Sequence, residues 1–354
     1  MPALALARAA ADAGHHPVLV GAERGIEAQI LPDHPFPFHL LPMEPLYRQR
    51  WWRNLRWPVI AVRAWRAAGR VLAAERPAIV IGTGGYAAGP VVWRAQRGGI
   101  PTALQEQNAF PGITTRLLAR GARQVHLGFP EARSRLAPGA TTEIFALGNP
   151  IAPPPATPPN RAAALATFGL EPSRPTLLAF GGSQGARALN DAIAGALAGG
   201  TGGAGGDLLG DVNVLWGTGA AHQARYASLA VPGRVAVRAF FDPMAPAYAA
   251  ADLVVCRAGA MTVAELCAWG KPSVLVPLPT AAADHQTVNA RALADAGAAV
   301  LLAERDLSPE SLARIALSLA RDPRRLAVLA AVARGRGHPD AARAIMSKIL
   351  TLLG

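Results

Sequence analysis

The sequence contains little cysteine, little lysine and few acidic residues. Its two cysteines, Cys256 and Cys267, are too few for a disulfide framework or a cysteine-rich metal cluster, which favours an intracellular protein. All but two of the 35 basic residues are arginine, and the formal net charge at pH 7 is +12. A biased genome would give the same composition, but a basic protein also favours anionic partners such as phosphates or acidic lipids.

Sequence patterns that mark several other classes of protein are missing. No D-x-D pair occurs to hold a metal under a nucleotide diphosphate, so we expect no metal and no cofactor, and anions would have to be met by backbone dipoles and arginine. The H-E-x-x-H pattern of zinc proteases is also missing. The longest apolar runs are interrupted by glycine, proline or charge well short of a membrane span. The first residues carry Arg8 and Asp12, so they predict a helix rather than a signal peptide.

Short apolar strands alternate with amphipathic helices along both halves of the chain. Segments such as PAIVIG in the first half, and PTLLAF and ADLVVC in the second, are typical of buried parallel strands. Between the halves, six of the ten residues from Pro150 to Pro159 are proline, which indicates a semi-rigid linker. We therefore predict an α/β protein with two doubly wound, Rossmann-like domains facing a cleft, and with ligands at the carboxyl ends of the strands.

Three glycine-containing turns each follow a predicted strand and precede a predicted helix. They are GTGGYAAGP at 82–90, GGSQGAR at 181–187 and CRAGAMTVAE at 256–265. Glycine lets the backbone approach a ligand closely, and the N–H groups at a helix start attract anions such as phosphate. Tight packing alone would also explain each turn. In the third turn, Glu265 could accept both hydroxyls of a ribose, or it could form a capping box with Thr262.

Two polar segments are further candidates for a binding site. ADHQTVNA, residues 283–290, begins a predicted helix that Asp284 could cap, with Gln286 and Asn289 in its first turns. QEQN, residues 105–108, ends a predicted strand. A solvated helix start and an ordinary loop are the alternatives for these two segments.

Taken together, these motifs and their order resemble the MurG family of bacterial cell-wall glycosyltransferases, which are of the family 28 type. The resemblance extends from Pro2 to the C-terminal helices. It implies the GT-B fold and an inverting transfer of N-acetylglucosamine (GlcNAc) from UDP-GlcNAc to lipid I, undecaprenyl-pyrophosphoryl-MurNAc-pentapeptide, giving lipid II. It also implies an acceptor- and membrane-binding domain over residues 1–150, a UDP-GlcNAc-binding domain over 151–335, and a C-terminal helix within 336–354 that packs back on the first domain.

The resemblance assigns residues to the substrates. Glu265 would bind the ribose hydroxyls, the backbone at Phe241 would meet the uracil, and Gln286 would contact GlcNAc. The full set implied for UDP-GlcNAc is Asn108, Ser183, Phe241, Ala260, Met261, Thr262, Val263, Ala264, Glu265 and Gln286. The acceptor-side loop would comprise Gly84, Gly85 and Tyr86. No residue of this sequence is assigned as the catalytic base.

Two departures from the family pattern bear on catalysis. Ala152 stands where the family often has a donor-contacting arginine. The family pattern also begins with a strand and a glycine-rich loop that carries a candidate base histidine, whereas this sequence begins at the helix that follows them. These departures imply weak catalysis and unpaired strand edges in the first domain. Two alternatives therefore stay open: a homologue that only binds UDP-GlcNAc or membrane, and a UDP-GlcNAc 2-epimerase of related fold.

Tryptophan and arginine are concentrated between residues 47 and 70. Four of the seven tryptophans lie there, with no acidic residue between Glu44 and Glu75. On a helix, one apolar stripe would face the core, and a second stripe, edged with arginine, would lie opposite. The predicted membrane patch comprises Leu55, Val59, Val62, Arg63, Trp65 and Arg66. It suits peripheral binding to an anionic membrane. The family resemblance implies that this membrane surface is the cytoplasmic face of the bacterial plasma membrane.

The expected partners are therefore UDP-GlcNAc, lipid I, an anionic membrane surface and other cell-wall synthesis proteins. Nucleic acid is the weaker interpretation, because no nucleic-acid-binding motif accompanies the arginines. Packing against another part of the protein, with solvated arginines, would also explain the second apolar stripe.

Overall fold

The structure, a computed structural model, describes residues 2–44, 55–182, 185–200 and 206–353. The chain divides into two compact units. The first comprises Met1–Ile151 together with Asp340–Gly354, and the second comprises Ala152–Pro339. The chain thus leaves the first unit at the proline-rich segment and returns to it for its last helix.

Strands and helices alternate in both units. The first unit contains, in chain order, α1 (Pro2–Asp12), β1 (Leu19–Ala22), α2 (Glu27–Ile30), β2 (Phe38–Leu41), α3 (Trp57–Glu75), β3 (Val80–Gly82), α4 (Gly85–Arg97), β4 (Thr102–Glu106), α5 (Ile113–Leu118), β5 (Gln124–Leu127) and β6 (Glu143–Phe145). The second contains α6 (Arg161–Thr167), β7 (Thr176–Phe180), α7 (Arg187–Leu197), β8 (Asn213–Gly217), α8 (Gln223–Tyr226), β9 (Val235–Arg238), α9 (Ala245–Ala250), β10 (Leu253–Cys256), α10 (Ala260–Trp269), β11 (Ser273–Leu275), α11 (His285–Asp295), β12 (Val300–Leu301), α12 (Pro309–Ala320) and α13 (Pro323–Gly335). The chain then returns to the first unit with α14 (Ala341–Leu350).

The first unit contains two parallel sheets. Strands β3, β4, β5 and β6 form one sheet in that order, and β1 pairs with β2 to form the other. Among the described residues, β1 and β3 each pair on one side only. A cavity of about 460 Å³ reaches both of these edge strands, and it is lined mainly by apolar side chains of α1, α3, α4 and α14. Unpaired strand edges, which the sequence predicted for this unit, are therefore present.

Packing in the first unit follows the apolar periodicity of its helices. Helix α3 buries one face against the core, with Ile60, Ala64 and Ala68 at most 9% exposed. Helix α14 packs against α1, and Leu6 of α1 and Ile345 of α14 belong to one buried cluster. The stripe of α3 that was predicted to face the core does so.

The second unit is built on one parallel sheet with the strand order β12-β11-β10-β7-β8-β9. The chain runs outward from β7 to β9, returns to β10 beside β7, and then runs outward to β12. The central strands are buried on both faces, which explains continuous apolar sequences such as LVVC at 253–256. The reversal between β7 and β10 creates a switch point, where open parallel sheets bind ligands beyond the carboxyl ends of their strands.

Candidate functional site

Two of the glycine turns identified in the sequence meet at the switch point of the second unit. Phe180 ends β7 and pairs in register with Cys256, which ends β10, so the two strands stop at the same level. The turn after β7 leads into α7, and the turn after β10 leads into α10. Two helices therefore start from adjacent strands, and the partial positive charge at both N-termini favours an anion there.

The turn after β7 requires glycine. Gly182 and Gly185 have φ angles of +83° and +74°, in the left-handed region that other residues rarely occupy. A Cβ on Gly185 would also lie 2.4 Å from the carbonyl oxygen of Thr218, so there is no room for a side chain. Ser183, the predicted donor contact in this turn, lies outside the described residues. The glycines let the chain turn sharply from β7 towards α7.

The N-cap residue of α10 is Gly259, which has no side chain with which to cap the helix. Thr262 is the third residue of the helix rather than its N-cap. The capping box considered for Thr262 and Glu265 is therefore wrong, because it needs threonine at the N-cap position. This leaves the Glu265 carboxylate available for other interactions.

The side chains of the predicted nucleotide segment differ in exposure. Ala260 and Val263 are buried, whereas Met261, Thr262 and Ala264 are partly exposed. Because the Val263 side chain packs in the core, a ligand could meet this residue only through its backbone. The partly exposed positions lie on the first two turns of α10, close to the helix start.

Glu265 is partly buried, and its carboxylate is held from within the protein. The hydroxyl of Tyr248 donates a hydrogen bond of 2.9 Å to Glu265 Oε2. Burial raises the pKa of Glu265, and the bond from Tyr248 opposes that rise because it stabilises the charged form. Among the described residues, no donor to Oε1 is found. One carboxylate oxygen is thus held internally, and the other can accept hydrogen bonds from a ligand.

The side chain of Arg257, at the start of the turn after β10, makes its hydrogen bonds and its ion pair within the protein. It is 8% exposed, and it donates to the carbonyl oxygens of Val276 and Pro277 at 3.2 and 3.3 Å. Its guanidinium also pairs with Glu304. These bonds tie the end of β10 to the segment that follows β11. The sequence-based expectation that arginine helps to bind an anion named no particular residue, and the internal partners of Arg257 leave it untested.

Helix α11 begins at a strained turn. Ala283 and Asp284 have φ angles of +52° and +54°, a conformation that costs a non-glycine residue about 1–3 kcal/mol. Asp284 is the N-cap residue, but its carboxylate accepts from the Thr287 hydroxyl at 2.6 Å and caps no backbone N–H, so its predicted capping role is wrong. Gln286 Oε1 accepts from the N–H of Leu278 at 3.0 Å. The side-chain amide nitrogen of Gln286 is therefore the group that could donate a hydrogen bond to a sugar.

Asn289 and Phe241 are both held by packing within the second unit. Asn289 is fully buried and donates to the carbonyl oxygen of Ala258 at 3.2 Å, so α11 supports the turn before α10. Phe241 follows β9, and its ring packs edge-on against Phe168 with centroids 5.7 Å apart. A Cβ on Gly217 would come within 2.9 Å of the same ring. With its ring fixed in this way, Phe241 could meet a base through its backbone.

Asn108 belongs to the first unit, where it follows β4. The buried Glu106 accepts from the N–H of Asn108 through Oε1 and from the N–H of Gly112 through Oε2, both at 3.0 Å. The side chain of Gln107 donates to the carbonyl oxygen of Thr83 at 2.9 Å. QEQN is thus an ordered turn, tied to the turn after β3, that holds the backbone of Asn108 in place.

The predicted acceptor-side loop opens α4. Gly84 is the N-cap residue of this helix, and Gly84 and Gly85 have φ angles of +82° and +76°. A Cβ on Gly84 would lie 3.2 Å from Oε1 of Gln107, whereas a Cβ on Gly85 would meet nothing within 4 Å. Tyr86 is partly buried against the core of the first unit. Gly85 therefore faces open space, while its two neighbours pack inward.

Exposed apolar side chains are concentrated on α3, on the turn just before it, and on α4 and α5 of the first unit. Helix α3 packs against α4, and α4 packs against α5. We call the following residues the apolar set: Leu55 (74% exposed), Val59 (64%), Val62 (50%), Trp93 (50%), Ile113 (65%) and Leu117 (72%). Exposed arginines on the same three helices are Arg63, Arg66, Arg70, Arg94, Arg97 and Arg116. Of the apolar set, only Leu55, Val59 and Val62 were predicted from the sequence as part of the membrane patch, and of these arginines only Arg63 and Arg66.

Trp65, a member of the predicted patch, is only partly exposed. Its ring packs on that of Trp93 with centroids 4.6 Å apart, and the guanidinium of Arg94 lies 4.8 Å from the Trp65 ring centre. Trp65 therefore links α3 to α4, and Trp93 carries the exposed indole. In the described part of the chain, no helix has both the length and the apolar character needed to cross a membrane.

Comparison with known proteins identifies the family. The profile of the glycosyltransferase family 28 N-terminal domain matches residues 1–127, and that of the family 28 C-terminal domain matches residues 176–345. A UDP-N-acetylglucosamine–N-acetylmuramyl-(pentapeptide) pyrophosphoryl-undecaprenol N-acetylglucosamine transferase of Chlorobaculum parvum is 42% identical over 337 residues. The match covers 94% of this chain and 89% of that protein.

Solved structures support the same assignment. The crystal structure of MurG from Acinetobacter baumannii is similar with a TM-score of 0.77 and 29% identity, covering 99% of this chain and 95% of that one. A UDP-GlcNAc 2-epimerase from Neisseria meningitidis has a TM-score of 0.64 at 13% identity, covering 99% and 97%, which shows the fold alone. The predicted GT-B fold, with two Rossmann-like domains, is thereby confirmed. The chain belongs to the MurG family of family 28 glycosyltransferases.

Proposed function

We propose that this chain transfers GlcNAc from UDP-GlcNAc to lipid I, giving lipid II for peptidoglycan synthesis. The second unit binds the donor, and the first unit binds the acceptor. Family membership supports this activity, because the relative from Chlorobaculum parvum is named for it. The structural observation that carries the proposal is the start of α10 at the switch point, followed about one and a half turns later by the carboxylate of Glu265.

The chemical groups of the donor match the groups at this edge of the sheet. The pyrophosphate lies at the start of α10, where backbone N–H groups and the helix dipole favour an anion. Glu265 accepts hydrogen bonds from the ribose hydroxyls, which are donors that suit a carboxylate. Gln286 donates to GlcNAc through its amide nitrogen, and the backbone of Phe241 meets the uracil. Asn108 and Ser183 complete the donor contacts.

The reaction is a direct displacement at the anomeric carbon of GlcNAc. The 4-hydroxyl of the muramoyl sugar attacks from the face opposite to UDP, the bond from that carbon to the phosphate oxygen breaks, and the configuration inverts. A general base takes the proton of the acceptor hydroxyl. Negative charge develops on the departing UDP, so a helix N-terminus at the diphosphate stabilises the transition state more than the bound substrate.

The first unit docks on the anionic cytoplasmic face of the plasma membrane through the apolar set and the surrounding arginines. Apolar side chains enter the boundary between headgroups and acyl chains, while the arginines attract acidic lipid. This location gives access to a lipid-linked acceptor. The acceptor-side loop at Gly84–Tyr86 leads into α4, which also carries the exposed Trp93.

The two alternatives raised by the sequence are not favoured. The 2-epimerase resembles this chain in fold at 13% identity, whereas the transferase from Chlorobaculum parvum is 42% identical. A homologue that only binds UDP-GlcNAc or membrane finds no support in these relatives, since the matched protein is named as a transferase.

Calorimetry of UDP binding to Glu265→Ala tests the donor site. Loss of hydrogen bonds to a charged group costs about 1.5–3 kcal/mol, so affinity should fall about 10- to 100-fold in a folded variant. Glu171→Ala is the matched control, because it removes a more exposed glutamate that precedes β7, and it should leave the affinity unchanged. Wild-type UDP affinity in folded Glu265→Ala would refute the ribose role. Failure of the wild-type chain to transfer GlcNAc to a lipid I analogue would refute the activity.

A further inference from the structure

We infer that Tyr248 is a positioning residue for Glu265, fixing the orientation in which the carboxylate meets the ribose of the bound nucleotide. This inference rests on the proposed function of Glu265 and adds a residue to which no sequence motif points. Tyr248 lies on α9, seventeen residues before its partner on α10.

The ring of Tyr248 is fixed by its neighbours. The residue is 2% exposed. Its ring packs edge-on against Phe180, at the end of β7, with centroids 6.4 Å apart. It also packs at a tilt of 40° against Trp269, at the end of α10, with centroids 5.5 Å apart. Both neighbours belong to elements that meet at the switch point. A ring held on two sides aims its hydroxyl in one direction, which is towards Glu265.

The hydroxyl of Tyr248 acts as a hydrogen-bond donor. Burial, reinforced by the nearby Glu265 carboxylate, raises the pKa of Tyr248 well above its ordinary value, so the hydroxyl stays protonated. The terminal torsion of a glutamate side chain is broad, so a carboxylate without partners samples many orientations. The 2.9 Å bond to Oε2 selects one of them. A ribose offers two neighbouring hydroxyls, and a carboxylate already oriented for them loses less entropy when they bind.

A purely structural role is the competing explanation for the tyrosine–carboxylate bond. Tyr226 shows that the second unit uses such a bond elsewhere: it is 3% exposed, and its hydroxyl donates to Asp191 Oδ1 at 2.7 Å. Tyr226 matches Tyr248 in burial and in bond type, but its hydroxyl bonds to Asp191 of α7 and its ring packs on Trp216 of β8, so it provides the control. Both tyrosines can be changed to phenylalanine, which keeps the ring and removes the hydroxyl.

Calorimetry with UDP and with 2′-deoxy-UDP on Tyr248→Phe separates the two explanations. The wild-type chain should prefer UDP, because the deoxy nucleotide lacks one of the donors to Glu265. In Tyr248→Phe, UDP affinity should fall about 3- to 10-fold and 2′-deoxy-UDP affinity should fall less, so the preference for ribose shrinks. Tyr226→Phe should keep the wild-type preference, even if it lowers stability.

A double variant adds a readout that does not depend on how stable Tyr248→Phe is by itself. Once Glu265→Ala has removed the carboxylate, adding Tyr248→Phe should change UDP affinity no further. Equal losses for both nucleotides in Tyr248→Phe, no loss for either, or a loss that persists beside Glu265→Ala would each overturn the positioning role. The ribose role of Glu265 fails separately, through wild-type UDP affinity in Glu265→Ala alone, and the transfer activity fails only if the wild-type chain does not transfer GlcNAc.

Discussion

Membrane attachment through the first unit should be abolished by two negative charges on α3. The change is Val59→Glu together with Val62→Glu. Both valines are exposed, at 64% and 50%, so their replacement leaves the core intact. Trp65 belongs to the predicted patch, but it is unsuitable because its ring packs against Trp93 and links α3 to α4.

The expected loss of binding follows from the exposure of the two side chains. Full burial of a valine side chain contributes about 1.5 kcal/mol, and half to two-thirds of each is available here, so the pair loses about 2 kcal/mol of burial in the membrane. Each new carboxylate also brings a charge of the wrong sign to an acidic surface, at about 1 kcal/mol per charge. The total of about 4 kcal/mol corresponds to about a 1,000-fold drop in partitioning.

Sedimentation with phosphatidylglycerol vesicles measures this drop, and calorimetry of UDP binding should show an unchanged second unit. Val328→Glu is the matched control, because Val328 is a 61% exposed valine on α13 of the second unit. It should leave vesicle binding close to that of the wild type. If the double variant sediments with the vesicles as the wild type does, the exposed stripe of α3 does not bind the membrane and the membrane assignment is wrong.

Three further outcomes are expected. In urea unfolding, Gly185→Ala should destabilise the second unit by about 2 kcal/mol or more, because the Cβ of the new alanine would clash with the Thr218 carbonyl oxygen. Gly169→Ala should cost about 1 kcal/mol, because Gly169 also has a positive φ but open space around it. Equal costs for the two variants would contradict the steric argument. Burial lowers the pKa of His126 from 6.5 to about 4, so the free energy of unfolding present above pH 6.5 should fall as the pH drops towards 4. Urea titrations at several pH values measure this dependence, and His126→Gln should make it weaker. Because the pKa of Glu265 is raised in the folded state, the contribution of Glu265 to stability is complete at low pH and is lost as the pH rises. Glu265→Gln should therefore keep or raise the melting temperature at pH 7 while weakening UDP binding. A lower melting temperature at pH 7 would contradict the direction of this pH dependence.

The sheet of the second unit could be predicted from sequence, whereas part of the first could not. Strands Thr176–Phe180 and Leu253–Cys256 lie in the middle of a sheet covered on both faces, so their sequences are continuously apolar and easily recognised. Strands Leu19–Ala22 and Phe38–Leu41 were not predicted. They have four residues each, and the polar His39 interrupts the apolar sequence of the second. Such short segments carry too little periodicity to be distinguished from a loop.

Turns and helix starts of the candidate site could be placed from glycine and strand order, but side-chain partners could not. The hydrogen bonds from Tyr248 to Glu265 and from Asn289 to Ala258 join different secondary-structure elements, so no local residue spacing predicts them. The capping-box hypothesis failed for a related reason. The T-x-x-E spacing also fits two positions inside a helix, and α10 starts two residues before Thr262, directly after the extended Gly259.

Most polar side chains around the switch point make hydrogen bonds within the protein. Arg257 holds carbonyl groups after β11, Asn289 holds the turn before α10, and the amide oxygen of Gln286 holds the segment after β11. In the proposed donor site, the nucleotide is therefore met largely by backbone N–H groups, which bind any diphosphate in the same way. Discrimination between nucleotides must then come from few contacts, namely Glu265 with the ribose and the backbone of Phe241 with the base. Changes at Glu265 should reduce the preference for ribonucleotides over deoxyribonucleotides, whereas changes at Asn289 should weaken all nucleoside diphosphates alike, because Asn289 acts through the shape of the backbone.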